Sequence, residues 1–206
     1  MKRLDAVCSL IVRAGVIADV GCDHGKVAEY CVKSSLADRV IASDISAECL
    51  EKARARLDGF DNVEFVLCDG LRYRCDEAVI AGVGGMLTVK ILSEAVELPK
   101  TLVLCPHRNA DGVRSALIEL GYTIDKDFMC KERGRFYSVM RAERREGESQ
   151  RLDRLQILFG VNYASDRETV TEYLDRLYNT YMLAPTENAE MLECIDAAKK
   201  KIANNQ

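Results

Sequence analysis

The chain has only two histidines, no Cys-x-x-Cys pair and no long apolar run, and each shortage removes a class of protein. Zinc sites need Cys and His at short fixed spacings, and His24 and His107 have no such neighbours, so no metal is expected. A disulfide framework uses cysteines in pairs, whereas this chain has nine. Cys8, Cys31, Cys68 and Cys105 sit in apolar runs, the pattern of small buried thiols in a reducing compartment. No stretch approaches the roughly 18 apolar residues of a membrane span, and Arg13 breaks the N-terminal apolar run before signal-peptide length. A cytoplasmic protein without a membrane partner is the expectation. Strong charge of one sign is missing as well. A net charge of −4, from 29 basic and 33 acidic residues, creates no global field for nucleic acid and leaves a local basic patch as the only electrostatic route to one. What the chain does have is core: with 48% hydrophobic residues among 206, it can build one medium domain and a small appendage.

Apolar residues Leu4, Val7, Cys8 and Ile11 recur at helical spacing ahead of a first buried strand, Val16 to Val20. A helix from about Lys26 to Ser34 follows, then a strand from Arg39 to Ser43. Ser46 reads as an N-cap for a helix that buries Cys49, Leu50 and Ala53. Further strands are expected at Val63 to Leu67, Glu77 to Ile80 and Thr101 to Leu104, with a helix through Thr88, Ile91 and Leu92 between the last two. Regular alternation of this kind means a parallel sheet with crossovers.

After a helix from Gly112 to Leu120 the rhythm changes. Tyr122 to Lys131 and Phe136 to Arg141 flank the turn Glu132-Arg133-Gly134-Arg135, which predicts an antiparallel hairpin. Five alternating units closed by a hairpin give an α/β, Rossmann-like fold with a seven-stranded mixed sheet, the ending typical of class I methyltransferases. Dinucleotide dehydrogenases usually continue with a second parallel half. The methyltransferase-like domain is therefore placed at residues 1–142 and a polar linker at Glu143 to Gln150. A small helical C-terminal domain follows at 151–206, with helices marked by Leu152, Leu155 and Leu158, by Val170, Leu174 and Leu177, and by a segment opened at Pro185 and Thr186. From residue 143 onward 9 basic residues stand against 12 acidic ones, without a basic stripe.

Three aspartates fall at successive strand ends. Asp19 closes the first strand, Asp44 follows the second and Asp69 the third, and in this architecture the carboxylate after the second strand accepts hydrogen bonds from ribose hydroxyls. The first loop carries Gly21 and Gly25 but has Asp23 where a dinucleotide fingerprint has its middle glycine. A carboxylate there opposes a pyrophosphate and favours the sulfonium and ammonium of S-adenosyl-L-methionine. Asp19, Gly21, Asp23, Gly25, Asp44, Ile45, Asp69 and Gly70 are thus the expected cofactor contacts. After the fourth strand, Ala81-Gly82-Val83-Gly84-Gly85-Met86 lets backbone approach a flat ring. Gly82, Gly84, Gly85, Pro106 and His107 are the expected substrate contacts, and Asp23, His24 and His107 the candidate catalytic residues. Each aspartate taken singly could serve as a turn or capping residue instead.

These segments resemble the bacterial tRNA (adenine-22-N1)-methyltransferase family. The resemblance rests on Arg3-Leu4, Ala18-Asp19-Val20-Gly21-Cys22-Asp23-His24, Ala42-Ser43-Asp44-Ile45, Asp69-Gly70-Leu71, Ile80-Ala81-Gly82-Val83-Gly84-Gly85, Pro106, and Lys131-Glu132 through Phe136-Tyr137. It spans the whole Rossmann-like region in order. Departures are Gly25-Lys26-Val27-Ala28 where the family usually has Ala-Tyr-Leu-Pro, Cys105-Pro106-His107 for Gln-Pro-Asn, and Val83 for Met. The resemblance implies S-adenosyl-L-methionine as cofactor, tRNA as substrate and methyl transfer to adenine N1. Lys26, Arg72, Arg74, Arg108, Arg114, Arg133 and Arg135 are then the expected phosphate contacts. Competing readings are methylation of a small molecule or protein, a non-catalytic cofactor-binding module and, last, an NAD oxidoreductase.

Overall fold

The computed structural model describes residues 1–145, 147 and 150–204. Its strands are β1 (Ala14–Val20), β2 (Ala37–Asp44), β3 (Val63–Leu67), β4 (Glu77–Ala81), β5 (Thr101–Cys105), β6 (Tyr122–Glu132) and β7 (Arg135–Arg144). The helices are α1 (Arg3–Cys8), α2 (Lys26–Lys33), α3 (Ala47–Arg56), α4 (Gly85–Ser93), α5 (Ala110–Glu119), α6 (Arg154–Phe159), α7 (Arg167–Tyr181) and α8 (Ala189–Asn204). All seven strands form one sheet in the order β3-β2-β1-β4-β5-β7-β6. The first five run parallel, and β7 pairs antiparallel with both β5 and β6. This is the expected seven-stranded Rossmann-like sheet with its closing hairpin.

Strand order reverses between β1 and β4, which pair directly, with Val20 opposite Ile80. The chain leaves β1 toward β2 on one side and leaves β4 toward β5 on the other, so a crevice opens above their carboxyl ends. Helices cover both faces, which is why strands such as Ala78-Val79-Ile80 are apolar throughout rather than alternating. One face packs Ile17, Val40, Val79 and Val103 against residues of α1 to α3, such as Val7, Ala28 and Ala53. The other packs Ala18, Ile41, Ile80 and Leu104 against Ile91, Val113 and Leu117 of α4 and α5.

The hairpin turn is tighter than expected. Glu132 and Arg135 pair with each other, leaving Arg133 and Gly134 as a two-residue loop with φ of 49° and 74°. Two successive positive φ angles match the type I′ geometry that suits the sheet twist. Of the segment expected as a linker, 143 and 144 belong to β7, and 146, 148 and 149 lie outside the described residues. The last helix begins at Ala189 rather than at Pro185, because residues 185–188 form turns in which the Asn188 amide and its side chain both donate to the Ala184 carbonyl.

The C-terminal helices bury their own cluster, Phe159, Val170, Leu174, Ile195, Ala198 and Ile202, together with Met129 of β6. They are also fastened to the sheet by an ion pair. Arg114 of α5 is fully buried, and its Nε and Nη2 donate to the two carboxylate oxygens of Asp127 at 2.7 and 3.1 Å. Its Nη1 donates to the Ile157 carbonyl at 2.9 Å, and Asp127 also accepts the Val161 amide. Arg114 was expected among the phosphate contacts. It occupies the inner face of α5 beside Val113 and Leu117 and cannot reach solvent.

Candidate active site

The first loop is shaped by backbone angles that few side chains accept. Gly21, Asp23 and Gly25 have φ of 70°, 48° and 65°, and Asp is one of the few non-glycine types that enter this region readily. Gly25 has a second constraint: a Cβ there would stand 3.0 Å from the Ala53 Cβ, so glycine lets α2 seat against α3. A Cβ on Gly21 would meet the Val83 side chain at 3.8 Å, so the loops after β1 and β4 face each other across the crevice.

Two carboxylates hold this arrangement from below. Asp19 is buried, and its Oδ2 accepts the amide of Ala28 in the first turn of α2 at 3.0 Å. Burial pushes its carboxyl up to about 7 against the lowering effect of that hydrogen bond, with the charges of Asp44 and Asp23 adding to the rise. Asp44 accepts the Asp23 amide at 3.1 Å and the Ser46 amide at 2.9 Å, and so ties the first loop to the start of α3. Capping of α2 by Asp23, the structural role open to it, is not seen. Gly25 occupies the N-cap, and the Asp23 side chain is exposed near His24, at 3.7 Å from its Nε2.

Above these supports the edge presents a mixed surface. Ile45, next to Asp44, is 72% exposed, an apolar flank beside a carboxylate. Leu67, at the end of β3, and Met86, in the first turn of α4, are exposed as well. Asp69 is exposed, and Gly70 turns the chain with φ of 77°. This donor set fits an adenosine: a carboxylate for the ribose hydroxyls, an apolar face for the ring and a second carboxylate for the exocyclic amine.

The glycine loop does two jobs. A Cβ on Gly85 would lie 2.5 Å from the Asn109 carbonyl oxygen and 2.6 Å from that of Arg108, so its glycine is required by packing against the loop after β5. The Gly85 amide donates to the Arg108 carbonyl, and the His107 amide donates to the Val83 carbonyl at 2.9 Å. Gly82, with φ of 92°, and Gly84 remain the more open positions. The β5 loop is thereby fixed beside the β4 loop. His107 lies with its Nε2 about 4.0 Å from a Cβ built on Gly82, and Pro106 beneath it is buried.

His107 has partners that sequence reading did not bring into the site. The Arg3 guanidinium of α1 donates to its Nε2, and Tyr137 of β7 packs edge-on at 5.9 Å. Arg3 also stacks over the Tyr137 ring at 5.2 Å. Because Arg can only donate, His107 must offer a lone pair at Nε2 and carry its proton at Nδ1. Partial burial, together with the positive charges of Arg3, Arg135 and Arg108, lowers its pKa and keeps the imidazole neutral at pH 7. Arg3-Leu4 and Phe136-Tyr137 were visible only as matching segments, since nothing in their spacing indicates that α1 and β7 converge on the β5 loop.

Cys22 and Cys105 are poor nucleophiles: burial raises both thiols, Cys105 to about 12. Among the described residues no group of three or more His, Cys, Asp or Glu could hold a metal ion, and no helix is long and apolar enough to cross a membrane. A larger groove of roughly 770 Å³, lined by Asp76, Lys100 and Glu143, lies at the opposite end of the strands. Lys100 and Arg145 there both pair with Glu143.

Residues 1–140 match the family described as a methyltransferase domain. The chain belongs to that family. This methyltransferase is 29% identical over 152 residues to the tRNA (adenine(22)-N(1))-methyltransferase of Bacillus subtilis, covering 69% of this chain and 64% of that one. Its fold overlays that of a Streptococcus pneumoniae protein solved in complex with S-adenosyl-L-methionine, with a TM-score of 0.87, 22% identity and coverage of 98% and 99%. M. capricolum TrmK in complex with S-adenosyl-homocysteine gives a TM-score of 0.79 at 22% identity, covering 98% of this methyltransferase and 97% of that chain. The overlay with both extends through the C-terminal helices.

Proposed function

We propose that this methyltransferase transfers the methyl group of S-adenosyl-L-methionine to N1 of an unpaired adenine in tRNA. The observation that carries the reading is the meeting of two loops at one sheet edge. The Asp44-anchored loop faces the glycine loop across the β1–β4 crevice, and His107 and Arg3 stand at the rim of the second. The names of the Bacillus subtilis and M. capricolum relatives support it.

In this reading Asp44 accepts the ribose hydroxyls with lone pairs left over from Asp23 and Ser46, Ile45 flanks the adenine of the cofactor, and Asp69 takes its exocyclic amine. Asp23 and the first loop face the methionine end, where an exposed carboxylate suits an ammonium. Bound there, the cofactor supplies an electrophilic methyl on a sulfonium. Adenine N1 has an in-plane lone pair and is unprotonated at neutral pH, so the protein need not remove a proton. Its task is alignment of the two reactants. Gly82 and Gly84 let the target ring lie close to backbone, and neutral His107 can hydrogen-bond the base without adding charge beside a ring that becomes cationic. The target nucleotide must be unpaired or flipped out to enter.

Calorimetry with S-adenosyl-L-methionine and a radiolabelled transfer assay on unmodified tRNA test this directly. Wild type should bind the cofactor and label tRNA at an adenine. Asp44→Asn, which keeps the side-chain size and one acceptor, should weaken cofactor binding at least tenfold. Absence of cofactor binding by wild type would end the reading, and label appearing only in proteins or small molecules would end its tRNA part.

A further inference from the structure

Beside His107 and away from the cofactor loops, a groove of roughly 400 Å³ runs between the loop after β5, the start of β7 and α7. Its walls hold Phe136 and Tyr137 from β7 and Tyr173 from α7, all partly exposed. Phe136 and Tyr173 pack edge to face at 5.4 Å, as do His107 and Tyr137 at 5.9 Å. Arg108 and Arg135 stand at its mouth. Neither has an acidic partner among the described residues, although most other exposed arginines here, such as Arg39, Arg56, Arg72 and Arg154, are paired with Glu. Arg176 of α7 instead donates to the Gly134 carbonyl of the hairpin and fixes the helix against β7.

We propose that this groove is a second nucleotide subsite, which takes an unpaired base and its phosphates from the RNA strand next to the target adenine. The inference rests on the tRNA reading above and extends it to the C-terminal helices. Three features select this occupant. The space accommodates a nucleotide. Aromatic rings offer π-surfaces to a base regardless of its identity. Two unneutralised guanidiniums in a chain of net charge −4 mark a local anion site where the global field supplies none. His107 belongs both to this groove and to the rim of the glycine loop, so a strand lying in the groove leads directly to the crevice. The ligand class is single-stranded RNA with little base preference. Because α7 forms one wall, the subsite exists only when the C-terminal helices are docked.

The test uses the full chain and a fluorescein-labelled, unstructured hexaribonucleotide, with binding followed by anisotropy from 50 to 200 mM salt. Tyr137→Ala should weaken binding about tenfold and Tyr137→Phe should restore it, because the ring and not the hydroxyl makes the contact. The double variant Arg108→Gln, Arg135→Gln should reduce the slope of log affinity against log salt by about 1.4. Thermal melting and S-adenosyl-L-methionine calorimetry confirm that each variant is folded and retains its cofactor site. Affinities and slopes within twofold of wild type would overturn the subsite, as would a wild type that binds no RNA or binds only a protein. Methylation of tRNA with the groove variants silent removes the subsite and leaves the proposed function standing. Loss of hexanucleotide binding in the variants, without any tRNA methylation by wild type, does the reverse.

Discussion

Arg114→Ala removes a guanidinium that has no contact with water and bonds to four residues. It forms a bidentate pair with Asp127, with further bonds to Ser138 Oγ at 3.0 Å and to the Ile157 and Leu158 carbonyls. The variant leaves the Asp127 carboxylate buried with the Val161 amide as its remaining donor. Breaking one side of a buried pair costs about 3–5 kcal/mol, most of it the uncompensated charge. For a chain of this size each kcal/mol lowers Tm by about 2–4 °C, so a fall on the order of 10 °C is expected by calorimetry. Replacing both members, as Arg114→Met with Asp127→Leu, removes the stranded charge and should recover much of that loss. Two of the lost bonds go to α6, so limited proteolysis should cut first near residues 150–165. A single variant that melts within 2 °C of wild type would refute the argument. So would one that keeps its stability but loses RNA binding, because Arg114 would then act as a surface cation.

Asp19 gives a pH-dependent stability. Its native pKa of about 7 lies above the ordinary value of 3.8, so the folded state binds the proton more tightly than the unfolded one. Stability from this group is complete below pH 4 and falls as pH rises through 7. Glu77, fully buried with one unpartnered carboxyl oxygen and a pKa likewise near 7, acts in the same direction. Asp19→Asn should therefore melt higher than wild type at pH 8 and lose that advantage at pH 5, and a gap independent of pH would rule out the buried carboxylate as its cause. Gly85→Ala places a methyl inside contact distance of two carbonyl oxygens and should cost about 1–3 kcal/mol. By displacing residues 107–109 it should cut tRNA methylation while cofactor affinity, measured by calorimetry, changes less than twofold. Equal losses in both would show that the loop after β5 does not act on the substrate side.

The parts of this molecule that were legible in its sequence are those written in local periodicity. Apolar runs between loop residues located all seven strands, and Arg133-Gly134 located the hairpin. Asp44 could be read as a cofactor carboxylate from its position after the second strand, whereas its hold on the first loop through the Asp23 amide appears only in the structure. Asp19, Asp23 and Gly85 were harder, because each admits a structural and a functional role that only packing distinguishes. Asp19 turned out to be buried against α2, while Asp23 remained exposed. Gly85 serves the close approach of two loops. Arg114 looked like any other surface arginine; its burial depends on Asp127, 13 positions away, and on carbonyls of α6 more than 40 away. Such long-range pairings leave no periodic trace. The same holds for Arg3, which meets His107 across 104 residues.

In the proposed reading the aspartates at this edge divide by depth, and the division explains how an acidic edge is held in shape. Asp19 and Asp44 sit low and accept backbone amides, so the loop conformation is set in advance, and Asp44 keeps lone pairs for the ribose hydroxyls that the proposed function assigns to it. Asp23 and Asp69 sit high and exposed, where water screens their charge until a cation or an amine displaces it. A site built in this order costs little reorganisation on binding, because the strained turn at Gly21 to Gly25 is already held in place. On the substrate side the backbone of the glycine loop is likewise fixed, through Gly85 and Val83, while Arg108 and Arg135 remain without acidic partners among the described residues. In the proposed reading, tight anchoring beneath the cofactor and cations without acidic partners beside it are what a small, fixed ligand and a long polyanion respectively require of one protein edge.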